Sequence, residues 1–458
     1  MEWSKCYRKL EEVESRKPED RSQYQRDYDR IIFSSAFRRL QNKTQVFPLP
    51  GTTFVHNRLT HSLEVASVGR SLGSLVGYGL SEKNQYAFND DVRTFYQYEL
   101  ANVIASGCLA HDLGNPAFGH SGEDAISNYF KEYENENIDG ENLKSHFKDV
   151  EWKDLTNFEG NANAFRLLTQ TFKGKSQNGM GLSSASLASI LKYPCSSMGT
   201  NKSSKHTKKY GFFQSEKEQF KSLVNELNLH KESDLPLIYR RHPFVYLVEA
   251  ADDICYNIID MEDAHRLRIL SKELVASAFI HVIEDLKLKQ DSHEGIWNKY
   301  QTIGDENEAI AYLRSKCINS LVNACAAEYL NHDEEIISAT YNDSLFSVLF
   351  ESCPSLVQIE KISLEKIYRH PKVLEIEIAG YHIMSGLLQL YVPAVLRTNK
   401  SKLHRTLLTL MPHQFTPDEY MSPYLKTMCV LDHISSMTDA YAVEHYRKLT
   451  GIEISQPV

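Results

Sequence analysis

Residues 99–123 read ELANVIASGCLAHDLGNPAFGHSGE. The stretch 99–113 is apolar enough to form a helix buried on all sides. It closes on His111-Asp112 and runs into a Gly114-Asn115-Pro116 turn, which stops a helix. An imidazole and a carboxylate buried at that point cost several kcal/mol unless something pairs with them. A metal ion would serve, and so would a plain salt bridge. The dipeptide alone says little in a chain with 18 histidines. His332-Asp333 is a second such pair, but it lies in the polar stretch NHDEE and reads as surface or helix-start chemistry.

The same helical pattern continues outward. From His61 to Leu80, apolar residues recur at Leu63, Ala66, Leu72, Leu75 and Val76, one face of a 3.6-residue period. Residues 244–265 form another apolar helix, with Pro243 placed at its first turn. The segments 306–330, 373–397 and 421–449 extend the pattern, and the alternation at 374–378 is absorbed into the helix that follows it. The expected fold is all-α. Two stretches interrupt it: an acidic, polar insertion at about 131–154 and a Ser-, Thr- and Lys-rich insertion at about 195–210. The second reads as a solvated loop or as a phosphate-gripping one. The expected organisation is a core over 1–270 and a helical region over 271–458 that packs on it and forms oligomer contacts. No internal repeat appears, and the glycines at 114 and 119 have P-loop spacing without its lysine.

Composition narrows the class. The 458 residues are 42% hydrophobic and 24% charged, which excludes a disordered chain, a collagen and a disulfide mini-scaffold. A net charge of −9 does not attract polyanions, so a phosphate-bearing ligand needs a local basic patch or a metal. No run of 18 apolar residues suggests a membrane span, and residues 1–20 are charged where a signal peptide would be apolar. A cytoplasmic protein without membrane contact is expected. The eight cysteines are scattered without C-x-x-C spacing and read as reduced and mostly buried.

Two more segments supply what a metal needs. His61 projects from the first turn of its helix, and Glu249-Ala250-Ala251-Asp252-Asp253 sets acids in the middle of an apolar helix, where ionised carboxylates are seldom left unpaired. His61, His111, Asp112 and one of Asp252 or Asp253 make a mixed nitrogen and oxygen site that is neutral with a divalent ion. Such a set suits Mn, Fe, Co, Ni or Zn and tolerates Mg. His120 and Glu123 stand three apart, so a helical start at Ser121 brings them together. A carboxylate beside an imidazole favours its protonated form, which suits a general acid. The plainer alternative is a cap contact at a helix start.

The ordered set His61, His111-Asp112 and Asp252 resembles the HD-domain metal-dependent phosphohydrolases. The flanks Arg26-Asp27-Tyr28-Asp29-Arg30-Ile31-Ile32, Phe37-Arg38-Arg39-Leu40-Gln41, Lys43-Thr44-Gln45-Val46-Phe47, Arg58-Leu59-Thr60-His61-Ser62-Leu63-Glu64 and Glu249-Ala250-Ala251-Asp252-Asp253-Ile254 resemble the bacterial dGTP triphosphohydrolases. The resemblance spans about 21–265 and continues more loosely through Glu377-Ile378-Ala379-Gly380-Tyr381 and Met437-Thr438-Asp439-Ala440-Tyr441. It implies an HD-domain helical fold with additional C-terminal helices. It also implies cleavage of a deoxynucleoside triphosphate, dGTP above all, to deoxynucleoside and tripolyphosphate. The implied metal ligands are His61, His111, Asp112 and Asp252, holding one divalent ion (Mn, Mg, Fe or Co). Asp252 is preferred to Asp253 because Tyr256 and Asp260 follow it at four and eight, the family's spacing along one helix face.

The resemblance also implies substrate contacts. Tyr256 would lie under the sugar and crowd a 2′-hydroxyl, and Asp260 would accept the 3′-OH, near Gln45. His120 with Glu123 would assist the leaving group. Arg58 is the candidate for the α-phosphate, Lys209 and Tyr210 for the outer phosphates, and Lys192 a further one. The family forms homo-oligomers, often hexamers, and implies regulation by nucleotides or single-stranded DNA. The vertebrate deoxynucleotide-depleting enzyme of the same superfamily is a more distant resemblance, and two departures from it stand out: Asp253 where a lysine follows the ligand, and Phe158-Glu159-Gly160-Asn161 where a second catalytic histidine lies. An HD phosphodiesterase or nuclease acting on other phosphate esters or single-stranded DNA is the alternative, and a fold that binds without catalysis is a third.

Overall fold

The computed structural model describes residues 1–7, 21–48, 54–174, 179–286 and 293–453; residues 8–20 of the charged N-terminal stretch lie outside them. The helices that frame the molecule are α1 (Gln23–Ile32), α2 (Arg58–Ser81), α3 (Leu100–Ala110), α4 (Gly119–Glu132), α5 (Gly160–Thr169), α6 (Val245–Arg266), α7 (Lys272–Asp285), α8 (Glu306–Asn331), α9 (Pro371–Leu396), α10 (Pro423–Ser435) and α11 (Asp439–Thr450). Among the described residues, strands are confined to two antiparallel hairpins, Asn137–Ile138 with Glu141–Asn142 and Lys231–Asp234 with Leu237–Tyr239. The fold is all-α.

Several local outcomes follow from side-chain chemistry. The expected helix over 421–449 divides into α10 and α11, because Thr438 takes extended backbone and its side chain accepts the Tyr441 amide as a cap. The segment 131–154, expected as an exposed insertion, is only partly so. Ile138, Leu143 and Trp152 are buried, and Trp152 meets Phe130 edge-on at 6.0 Å. The segment 195–210 is tied down: Cys195 bridges to Ile238, and Ser197 Oγ donates to the buried Asp154. Helix α9 is long and apolar enough to cross a membrane by length and composition, but half of that stretch is buried against its neighbours, chiefly α4 and α10. The cysteines are free and buried, Cys429 only partly.

Two large apolar cores do not follow chain order. One joins α1, α2, α3, α6, α7 and α8. The other joins α4, residues 138–158 and α9, α10 and α11. The sequence reading divides the chain at 270. The chain first passes from one core to the other at the turn 114–116, with Leu113 in the first and Ala117 in the second, and it returns to the first at Leu167.

Helix α2 lies against α3 and the turn before it along Gly69, Gly73 and Gly77. A Cβ at Gly73 would stand 2.8 Å from Ala101 Cα, and one at Gly77 would overlap the Tyr96 carbonyl. The stripe lets the two backbones approach directly. Gly73→Ala is expected to lower stability by about 1–2 kcal/mol, the overpacking cost less the gain in helix propensity. Thermal unfolding checks this against Gly304→Ala, where an added methyl meets nothing. Equal midpoints for the two variants would refute it.

Candidate active site

Helix α2 begins on a reciprocal cap. The Thr60 amide donates to Asn57 Oδ1 at 2.9 Å, and the Asn57 amide donates to Thr60 Oγ1 at 3.0 Å. That fixes the first turn, which carries Arg58 and His61. Helix α3 ends at Ala110, and His111 follows as its C-cap. His111 Nδ1 lies 2.6 Å from the Cys108 carbonyl. A carbonyl only accepts, so Nδ1 carries the proton and Nε2 faces the cluster. Helix α6 brings Asp252, whose Oδ1 lies 3.2 Å from His61 Nε2 and 3.4 Å from His111 Nε2. The three ligand atoms all lie within 4.8 Å of one another.

This donor set fits a divalent cation. His111 Nε2 is buried and has no hydrogen-bond partner. Burial alone would lower the His111 pKa, yet Asp112 and Asp252 push it up to about 9. The site therefore draws positive charge to its centre. Burial also opposes the charge on Asp252, but His111 and His61 hold it well below the usual carboxylate range. Asp112 stands at the edge of the cluster. Its Oδ1 is 3.6 Å from His111 Nε2 and accepts from the Asn115 amide, while Oδ2 accepts from Arg58 Nη1 at 2.9 Å. Burial raises the Asp112 pKa, and Arg58 and the two histidines bring it back below normal.

Helix α4 begins at Gly119, two residues before the expected Ser121, so His120 and Glu123 share its first turn. His120 Nδ1 is 3.2 Å from Glu123 Oε2, and the imidazole is 81% exposed. Glu123 raises the His120 pKa; its other oxygen accepts the Gly160 amide at 2.9 Å. Lys209 Nζ donates to Glu159 Oε1 at 3.0 Å. Arg58 links this arm to the first cluster, since a Cβ at Gly119 would stand 2.6 Å from Arg58 Nη2.

Asp260 is buried two turns beyond Asp252 on α6, with Tyr256 between them at the surface. The Tyr256 ring stacks on Tyr368 at 5.5 Å, and the Tyr368 hydroxyl donates to Asp260 Oδ2 at 2.8 Å. Burial pushes the Asp260 carboxyl up to about 8. Gln45 lies next to Thr44, which bridges to Asn57, and Gln45 Oε1 is buried without a partner.

Comparison with known proteins decides the family. A Synechocystis deoxyguanosinetriphosphate triphosphohydrolase-like protein is 37% identical, over 95% of each chain. A Listeria monocytogenes protein of the same description is 32% identical over 99% of this chain and all of its own. A Yersinia enterocolitica deoxyguanosinetriphosphate triphosphohydrolase is 30% identical over 94% of each chain. The chain belongs to the deoxyguanosinetriphosphate triphosphohydrolase family. Residues 354–448 also match the phosphohydrolase-associated domain.

Within that family membership, several expected positions differ from expectation. Tyr210 is 1% exposed, and its hydroxyl donates to the Asp154 carbonyl at 3.0 Å. The hydroxyl proton is thus committed inside the second core, and the fold does not present Tyr210 to an outer phosphate. Lys192 Nζ is 3.2 Å from Glu249 Oε1, and Arg241 binds the same carboxylate at 2.9 Å. Lys192 thus sits in an ion cluster behind Asp252. Asp253 belongs beside it: burial raises its pKa to about 7 against the pull of Lys192. Sequence reading missed Tyr368 and the role of Glu159. Tyr368 has no local signal, since only the tertiary fold stacks it on Tyr256. Glu159 was legible only as part of a motif.

Removing one donor should empty the cluster. Apo enzyme titrated calorimetrically with Mn2+ is expected to bind tightly, and His111→Ala to weaken binding by at least about a hundredfold, the upper range for losing even an outer partner of a ligand. Unchanged affinity would break the assignment.

Proposed function

We propose that this chain hydrolyses dGTP to deoxyguanosine and tripolyphosphate, by attack of water at the α-phosphorus and departure of the 5′-oxygen. What supports the reading most is the convergence of His61, His111 and Asp252, with the unpartnered His111 Nε2 aimed at carboxylate. A divalent ion held by these groups, with Asp112, would supply Lewis-acid stabilisation of the phosphoryl oxygens. The chain's own groups do the rest. Arg58, fixed by Asp112, would meet the α-phosphate. Lys209, held by Glu159, would meet the outer phosphates. His120, kept protonated by Glu123, would deliver a proton to the 5′-oxygen as the P–O bond breaks. Tyr256 and Tyr368 would pack against the deoxyribose, and Asp260 and Gln45 would take its 3′-OH.

Four outcomes are expected. Incubation of dGTP with enzyme and Mn2+ should release intact tripolyphosphate on anion exchange; mononucleotide with pyrophosphate would instead favour the phosphodiesterase alternative. His120→Ala should retain metal and lose about a hundredfold in kcat. The protonated imidazole is the active form, so kcat falls as pH rises through the raised His120 pKa. Glu123→Gln removes the charge that raises it, and the fall should then begin at lower pH. A pH profile that Glu123→Gln leaves in place would refute the pairing. Tyr256→Ala should raise the GTP-to-dGTP ratio of kcat/KM, because it opens space for a 2′-hydroxyl.

A further inference from the structure

Contacts from the C-terminal helices fall on the turn that leads into His120, and the proposed reaction uses none of them. The turn has unusual backbone. Phe118 and Gly119 have φ of 62° and 57°. A bulky aromatic residue in the left-handed region is strained and persists only where its surroundings hold it. The Phe118 amide donates to Asp439 Oδ1 at 3.0 Å. The other oxygen of that carboxylate accepts the Thr44 amide at 2.7 Å, next to Gln45. From the opposite side the Phe118 ring lies on Gly380 of α9, where any side chain would overlap it. Ser121 Oγ donates to the Glu377 carbonyl of the same helix. Lys43 Nζ, buried, ties the Asn115 carbonyl to that of Ser435 at 2.6 and 2.8 Å.

We propose that Asp439 is a positioning residue: by accepting the Phe118 and Thr44 amides on one carboxylate, it sets where His120 and Gln45 stand relative to the metal-binding cluster. This rests on the role given to His120 above. Asp439 is the first residue of α11, next to the Thr438 cap, so its own place is fixed. The two amides need two acceptor atoms, and an asparagine has only one oxygen. D439N therefore turns an amide donor against one of them. Asp439 binds backbone amides and none of His61, His111 or Asp252.

A double-mutant cycle tests the role, because a merely structural loss would add to other losses. D439N is expected to bind Mn2+ as wild type does and to lose at least about tenfold in kcat on dGTP, the scale of misplacing a catalytic group by part of an ångström. H120A should then cost no more than about tenfold in the D439N background, against about a hundredfold alone. G380A provides an independent route. It improves helix propensity and so should fold, but it pushes Phe118 from the other side and should show the same non-additivity. Full losses from H120A in every background would overturn the role of Asp439, as would wild-type turnover in D439N and G380A. If wild type releases no tripolyphosphate, or H120A alone keeps full rate, the reading of the whole site fails and Asp439's role with it.

Discussion

One carboxylate held between two imidazoles is the constraint on which the rest of this molecule depends. Asp252 sits in the middle of a largely apolar helix, where an ionised acid is costly without partners. Its partners come from two other helices, and their separation is not free. Helix α2 meets α3 through glycines, so backbone contact sets how far His61 stands from His111, with ring centroids 5.4 Å apart. Helix α6 then has to deliver a single oxygen. Because the distance is set by close-packed backbone and not by side-chain fit, it resists relaxation of the surrounding core.

The electrostatics around that point explain how an acidic chain can be built for a polyphosphate. Three cations near the site are each held by an acid: Arg58 by Asp112, Lys209 by Glu159, His120 by Glu123. Such pairs cost side-chain freedom in advance, so a ligand meets cations already ordered. They also limit the field each cation exerts. Glu159 shows the balance: burial and the nearby Glu123 raise its pKa, and Lys209 opposes both. A ligand oxygen that approached Lys209 would compete with an acid held in an unfavourable setting, which is weaker competition than a fully solvated carboxylate gives.

What the sequence disclosed follows from locality. The buried helix before His111, the cap before His61 and the acid in an apolar helix are each visible within a few residues, and together they pointed to side chains that the fold does bring together, His61, His111 and Asp252. The pair His120 and Glu123 was legible because three residues in a helix are neighbours. Tyr368 was not, because its stacking on Tyr256 joins positions 112 apart. Tyr210 misled for the same reason. A tyrosine ending a basic loop looks available, but the fold turns it into the second core against Asp154. The two cores were not legible as chain segments because the chain enters the second at Ala117, returns to the first by Leu167, and completes the second with residues beyond 380.

That last point bears on what the C-terminal region is for. A chain ending at 270 would keep every expected metal donor and still lack half of the second core, including Met384, Leu388, Met428 and Leu431. Ala117, Ile126 and Phe130 on the α4 side would lose the partners that bury them. The donors His61, His111 and Asp252 belong to elements anchored in the first core, whereas His120 belongs to a helix anchored in the second. The two halves of the chemistry are therefore fixed to different bodies of packed side chains. Groups that cross the seam set their relative position, among them Arg58 against Gly119, Lys43 on the Asn115 and Ser435 carbonyls, and Asp439 on the Thr44 and Phe118 amides. The proposed hydrolysis, with His120 as proton donor, would tolerate little error in that placement. A region that contributes no metal donor can thus set the rate, by deciding how accurately one core is held against the other.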